Sequence, residues 1–344
     1  MGDVAGEIPE EVRRAWPIGW EDVPLEPAAG GLINATWLVG HDWVVQRLHP
    51  IFAAEVCLDM VALGRRLKDA GVPVPVLAPS VDGALWKDVD GAVWRVMPRL
   101  PGRNADGAGT AAQVRAAAAA LGRFHGALAG ADHAFAFSRL GIHDTPAHLA
   151  RLSAAVAAHP THRLAAEVAP LAEAIAAGWE AWERPTSALP PRIGHGDPKI
   201  ANFLFEGDVV TGVIDLDTMG WTTLDAELGD AFRSWCSTTD ESATAPRLSV
   251  ERFEVAVAGY LAEARGWITD EEIAVLPRAG ERIALELASR FAADALNESY
   301  FGWDPALAPT RGEHNLMRAR NQLALAQDAR RARPQLEAAL ARYR

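Results

Sequence analysis

Ile193-Gly-His195-Gly-Asp197-Pro-Lys199-Ile-Ala-Asn202-Phe-Leu-Phe205, followed by Val209-Val-Thr-Gly-Val-Ile-Asp215-Leu-Asp217, is the stretch on which the reading of this chain turns. An acid and an amide five residues apart stand in a loop that leads into an apolar strand. A Gly-Asp turn at 207–208 returns the chain as a second apolar strand, which ends in another acid. A hairpin of this kind can gather Asp197, Asn202 and Asp215 at one end. Three oxygen donors at one point suit a hard cation such as Mg²⁺, which takes few carboxylates and leaves room for phosphate oxygens. Asp-Pro and Gly-Asp pairs are also ordinary loop punctuation. The full spacing, with apolar strands on both sides, is what makes the stretch a chemical signal.

Upstream, the first hundred residues read as a small antiparallel sheet. Trp37 to Arg47 holds two short apolar runs around Gly40-His-Asp, which predicts a hairpin. Phe52 to Ala70 carries Val56, Met60, Leu63 and Leu67 at helical spacing, with Gly71 as the stop. Leu85 to Met97 predicts a second hairpin with Asp90-Gly91 at its turn. Pro98 to Gly109 is rich in Pro, Gly and polar residues and reads as a hinge. Beyond it the chain turns helical: Thr110–Gly130, two helices within Pro146–Trp182, and further helices from Val250 onward, interrupted by the β island at 192–222. The boundaries expected are therefore residues 1–98, a linker at 99–109, and a helical part at 110–344.

The chain has 344 residues, 49% of them apolar and 23% charged, the profile of a globular protein with a sizeable core. No apolar run suggests a membrane span, and the acidic start Met1-Gly-Asp-Val-Ala-Gly-Glu lacks the pattern of an export signal. Two cysteines, Cys57 and Cys236, cannot build a disulfide framework, so a cytoplasmic enzyme is expected. A net charge of −12 argues against nucleic acid and anionic membrane as partners. Only three residues are lysine (Lys68, Lys87 and Lys199), which makes Lys199, two after Asp197, a conspicuous placement.

The spacing also matches the phosphoryl-transfer template, in which a catalytic Asp is followed five residues later by Asn and then, on the next strand, by a metal-binding Asp. His-Gly-Asp-x-x-x-x-Asn followed by Ile-Asp-x-Asp resembles the aminoglycoside phosphotransferase and choline kinase superfamily. The resemblance is nearest to N-acetylhexosamine 1-kinase-like small-molecule kinases. Gly31-Leu-Ile-Asn34, Val44-Val-Gln-Arg47, Asp197-Pro-Lys199, Ile214-Asp-Leu-Asp-Thr218, and the tail elements Arg290-Phe, Asp294, Tyr300-Phe301 and Gly312 to Arg320 carry it, over residues 25–330.

The resemblance implies an α+β, two-lobed protein-kinase-like fold: a small antiparallel β-sheet N-lobe that binds nucleotide and a mainly helical C-lobe with the acceptor site. It implies ATP and Mg²⁺ as cofactors. Asp197 would accept or orient the acceptor hydroxyl proton, and Lys199 would neutralise charge on the transferred group. Asn202 and Asp215 would hold the metal, and His195 would brace the loop. Arg47 takes the place of the strand cation that holds the nucleotide phosphates, paired with Glu55 or with Asp59 one turn on. Gly31 would bring backbone N–H groups to the phosphates, and Met97 to Leu100, Arg99 included, would form the hinge against the base. Glu227 stands where relatives usually carry Asp, which puts in doubt its part in capping the catalytic loop.

On a regular strand Asp217 points to the same side as Asp215, so it is a candidate for a second metal or a substrate hydroxyl. Asp230, Arg290, Asp294 and Tyr300 are the other candidates for the acceptor. Residues 215–300 hold 17 acids against seven arginines. Such a wall suits polyhydroxylated or cationic acceptors, although Glu251, Glu254, Glu271 and Glu272 read as solvated helix faces. Three functions follow: a sugar or amino-sugar kinase, an aminoglycoside-type antibiotic phosphotransferase, and a nucleotide-binding pseudokinase. The protein is expected as a monomer or homodimer.

Overall fold

The computed structural model describes residues 7–21, 23–28, 33–137, 141–239 and 243–343; Gly30 and Gly31 lie outside them. After a short helix α1 (Glu10–Ala15) come β1 (Leu25–Pro27), β2 (Ala35–Val39) and β3 (Trp43–Arg47). Helix α2 (Val56–Asp69) follows, then β4 (Lys87–Val89) and β5 (Ala92–Pro98). The five strands form one antiparallel sheet in the order β1-β2-β3-β5-β4. Asp90 and Gly91, both at positive φ (54° and 73°), make the β4–β5 turn, the left-handed pair that a two-residue hairpin needs.

Strand alternation gives the sheet two faces with different work. Trp37, Val39, Val45, Trp94 and Val96 pack with Ile8, Val12 and Trp16 into a small outer core. Trp37 stacks on Trp94 at 5.4 Å. The opposite face offers Val44, Val93 and Met97 to the main core, which runs through α2 into the helical lobe. Cys57 of α2 is fully buried there.

The second lobe comprises β6 (Arg103–Asn104), α3 (Ala111–Leu128), α4 (Thr145–Ala158), α5 (Ala165–Glu180) and β7 (Arg192–Gly194). β8 (Phe203–Glu206), β9 (Val209–Val213) and β10 (Gly220–Thr222) follow, then α6 (Leu224–Trp235), α7 (Val250–Ala264), α8 (Asp270–Asn297) and α9 (Arg311–Ala341). This is the α+β arrangement expected, a small antiparallel sheet joined to a mainly helical lobe. Among the described residues no helix is long and apolar enough to cross a membrane.

Three local features depart from expectation. The segment read as a plain hinge holds β6, which pairs with β8. Helix α6 is an addition to the sequence reading: its acids Asp225, Glu227 and Asp230 are buried and paired with Arg282, with the N–H groups of His195 and Gly196, and with Arg233. Glu272, read as solvated, is fully buried: it closes the capping box with Thr269 at the start of α8 and takes Arg192 in a two-pronged ion pair.

Candidate active site

β8 and β9 form the hairpin read from the sequence, with Phe203 opposite Val213. Its open end is stapled twice: the Ile214 N–H donates to the Asn202 carbonyl at 2.9 Å, and His195 Nε2 donates to the Ile214 carbonyl at 2.8 Å. His195 is thus a fully buried brace, tying the loop to the strand that delivers Asp215. Gly196 makes the tightest point of the loop. It sits at φ +81°, and a Cβ there would stand 2.1 Å from the Thr218 carbonyl oxygen, so no side chain fits.

The other clamp is Glu227. Its carboxylate accepts from the backbone N–H groups of His195 (2.8 Å) and Gly196 (3.0 Å), and meets His125 Nε2 at 3.2 Å. His125 is in turn held through Nδ1 by the Tyr260 hydroxyl at 2.8 Å. Gly194 makes room for the longer acid, since a Cβ on it would lie 2.6 Å from Glu227 Oε2. Glu227 therefore caps the loop at His195 and Gly196, contrary to the doubt raised by its identity. Burial pushes its carboxyl up, but the hydrogen bond and charge of His125, then the charge and backbone N–H of His195, more than offset this and hold it at about 2.

Within this frame Lys199 Nζ lies 2.6 Å from Asp197 Oδ2. Asn202 Nδ2 donates to the Asp197 carbonyl at 2.7 Å and to the same Oδ2 at 3.2 Å. One carboxylate oxygen of Asp197 is thus held in place; Oδ1 has no protein hydrogen bond among the described residues. Burial raises the Asp197 carboxyl, yet the Lys199 ammonium wins and leaves it below the usual carboxylate range. The Lys199 ammonium is disfavoured by burial and more strongly favoured by Asp197 and Asp215, so its pKa rises.

Asp215 follows β9 in a left-handed conformation (φ 65°, ψ 53°), a costly state for a residue with a Cβ. Its carboxyl is raised to about 6 by burial and then by the negative charges of Asp217 and Asp197. Among the described residues no protein donor satisfies it. A carboxylate held among other acids, with the free Oδ1 of Asn202 beside the same loop, is a donor set that fits Mg²⁺. Asn202 and Asp215 are the residues that would hold the ion.

Asp217 is placed differently. The left-handed Asp215 and the 3₁₀ turn Leu216–Thr218 break the strand, so the two acids do not share a face. Asp217 is enclosed and receives Arg95 in two prongs, Nη1 to Oδ1 at 2.6 Å and Nη2 to Oδ2 at 2.8 Å, together with Asn34 Nδ2 at 2.6 Å. It has no access to a substrate hydroxyl or a second metal. Arg47 also differs: it lies opposite Trp94 in the register and rests over that ring at 5.9 Å, on the outer-core face of the sheet. Gln46 and Arg95 occupy the inner face. Glu55 is exposed, and Asp59 accepts from His133 Nε2, Ala136 N and Phe137 N, so neither acid pairs with Arg47. The sequence reading passed over Arg95. Its signal was a lone charge inside the apolar run Val93-Trp94-Arg95-Val96-Met97.

At the hinge, Met97 is buried and Arg99 Nη1 donates to the Gly40 carbonyl at 3.0 Å, which commits that side chain to the β2–β3 turn. On the acceptor side, Asp230 accepts from Arg233 at 3.0 and 3.1 Å. Burial, and next to Arg233 the charge of Asp197, set the balance there, and the Asp230 carboxyl is raised. Asp294 is occupied by the loop after α8, accepting from the N–H groups of Ser299, Tyr300 and Phe301 and from Asn315 Nδ2. This removes it from direct substrate contact. Arg290 lies over Phe301 at 5.6 Å, with Glu286 no nearer than 3.9 Å, and Tyr300 is 51% exposed.

Solved structures share this fold, among them the following three. A microcompartment-associated aminopropanol kinase superposes with a TM-score of 0.62 at 19% identity, covering 91% of this chain and 94% of the other. An aminoglycoside phosphotransferase from Alicyclobacillus acidocaldarius gives 0.60 at 16% identity, covering 96% and 97%. An amicoumacin kinase in complex with AMP-PNP, Ca²⁺ and Ami gives 0.58 at 14% identity, covering 89% and 91%. Residues 24–267, more than half of the chain and the whole of the loop geometry above, match the family model APH, the phosphotransferase enzyme family, and the chain belongs to that family.

Proposed function

We propose that this chain is a small-molecule kinase that transfers the γ-phosphate of ATP to a hydroxyl of a sugar or amino sugar, the anomeric hydroxyl of a hexosamine or N-acetylhexosamine included. The observation that carries the reading is Asp197. Its Oδ2 is fixed by Lys199 and Asn202, and its Oδ1 is free to take the proton of an incoming hydroxyl. Lys199, ionised between two acids, stands where negative charge develops on the transferred group. Mg²⁺ on Asn202 and Asp215 would supply charge neutralisation of the nucleotide phosphates. Residues 1–98 would carry the nucleotide and residues 110–344 the acceptor.

The internal pairing of the acids supports a polyhydroxylated acceptor with at most one positive charge over a polycationic one. Asp225 pairs with Arg282, Asp230 with Arg233, Glu272 with Arg192, and Glu281 with Arg330 and Arg333, so the acid-rich segment is largely spent inside the lobe. ADP release with Mg-ATP should be seen with hexosamines or N-acetylhexosamines in a panel that also holds hexoses, choline and aminoglycosides. Phosphorus NMR of the product would then identify the hydroxyl. Turnover confined to aminoglycosides would move the chain to the antibiotic-modifying reading. ATP binding without turnover on any acceptor would favour the pseudokinase.

A further inference from the structure

The inner face of the sheet carries no lysine, and its cation is spent on the C-lobe. Arg95, 2% exposed on β5, is surrounded by Gln46 Oε1 (2.9 Å to Nε, 2.6 Å to Nη2), Met60 Sδ (3.0 Å to Nη1) and the two oxygens of Asp217. Asn34 adds the third donor to Asp217, and its own Oδ1 accepts from the His49 N–H at 2.9 Å. The Asp217 carboxylate thus holds Arg95 of β5 and Asn34 just before β2, and through Arg95 it is tied to Gln46 of β3 and Met60 of α2, at the turn that begins with left-handed Asp215.

Resting on the kinase reading above, we propose that the Arg95–Asp217 pair, completed by Asn34 and Gln46, positions Asp215 for the metal and locks the sheet to the metal-binding turn. Arg95 is a positioning residue: at 2% exposure it cannot reach nucleotide, and it acts through the backbone between Asp217 and Asp215. The geometry explains why an arginine serves here. Two parallel N–H···O bonds fix the carboxylate plane, and Nε remains for Gln46, which one ammonium could not do. It also explains how Asp215 is kept in a conformation that a free turn would leave.

The test is the affinity of Mn²⁺ for the AMP-PNP complex, followed by the electron paramagnetic resonance of free Mn²⁺, alongside the melting temperature. Arg95→Gln should weaken Mn²⁺ binding by about 10-fold or more, as loss of a partner that orients a metal ligand does. Arg95→Lys should fall between that variant and wild type. Asn34→Ala removes one of the three donors and should weaken Mn²⁺ by about 10-fold, the low end for loss of such a partner. It carries the test if Arg95→Gln does not fold. The acceptor KM of each active variant should stay near the wild-type value. A lowered melting temperature with unchanged Mn²⁺ affinity would mean that the pair only holds the fold, and would overturn the proposal. Wild type that binds no Mn²⁺ with AMP-PNP would instead overturn the kinase reading and this one with it.

Discussion

Asp197→Ala should lower the rate of phosphate transfer by about 10²- to 10⁴-fold, the range of a positioned proton acceptor in a transition state. The nucleotide should be held almost as before. Asp197 Oδ1 is the free oxygen of the loop, while Asn202 and Asp215, which would hold the metal, keep their own attachments through the Asn202 carbonyl and the Ile214 N–H. Lys199 loses its 2.6 Å partner and gains freedom, so part of the loss belongs to misplaced charge. Single-turnover ADP release against calorimetric binding of AMP-PNP separates the two effects. Wild-type turnover by this variant would remove Asp197 from the mechanism.

Glu227→Ala should be the most damaging change to stability, at about 3–5 kcal/mol, because it leaves buried partners uncompensated. The N–H groups of His195 and Gly196 would lose their acceptor, and His125 would lose the anion against which it rests. Glu227→Gln keeps the shape but not the charge and should cost less. The pH dependence has a definite sign. A glutamate held at about 2 in the fold, against an ordinary 4.5, contributes stability that is fully present above 4.5 and is lost as the pH falls toward 2. Urea midpoints at neutral pH and near pH 3 should converge for wild type and Glu227→Gln on the acid side. A constant difference across that window would show that the charge is not what holds the loop.

The loop at 195–202 was legible because its candidate chemistry is local. Asp197, Lys199, Asn202 and Asp215 lie within nineteen residues, and the apolar strands that fold them together are written in the same stretch. The hairpins at 40 and at 90–91 were legible for the same reason. What could not be read were partnerships across long separations. Arg95 and Asp217 are 122 residues apart, and only the folded register shows that Gln46, not Arg47, faces inward with Arg95. Asp217 was misplaced because strand alternation was extended past Val213, where Asp215 turns left-handed. Arginine pairing explains the acids: a Glu such as Glu272 looks solvated until Arg192, 80 residues earlier, is brought against it.

The burial of Cys57 has a practical consequence. Its sulfur is shut into the seam where α2 meets Arg95 and the turn at 216–218, and burial also pushes its thiol up, away from the reactive thiolate. A disulfide reagent reaches it only when that seam parts. Cys236, equally enclosed at the end of α6 inside the helical lobe, yields only when the lobe itself comes apart. The two buried thiols thus time different events, opening of this seam at Cys57 and opening of the helical lobe at Cys236, without an engineered label.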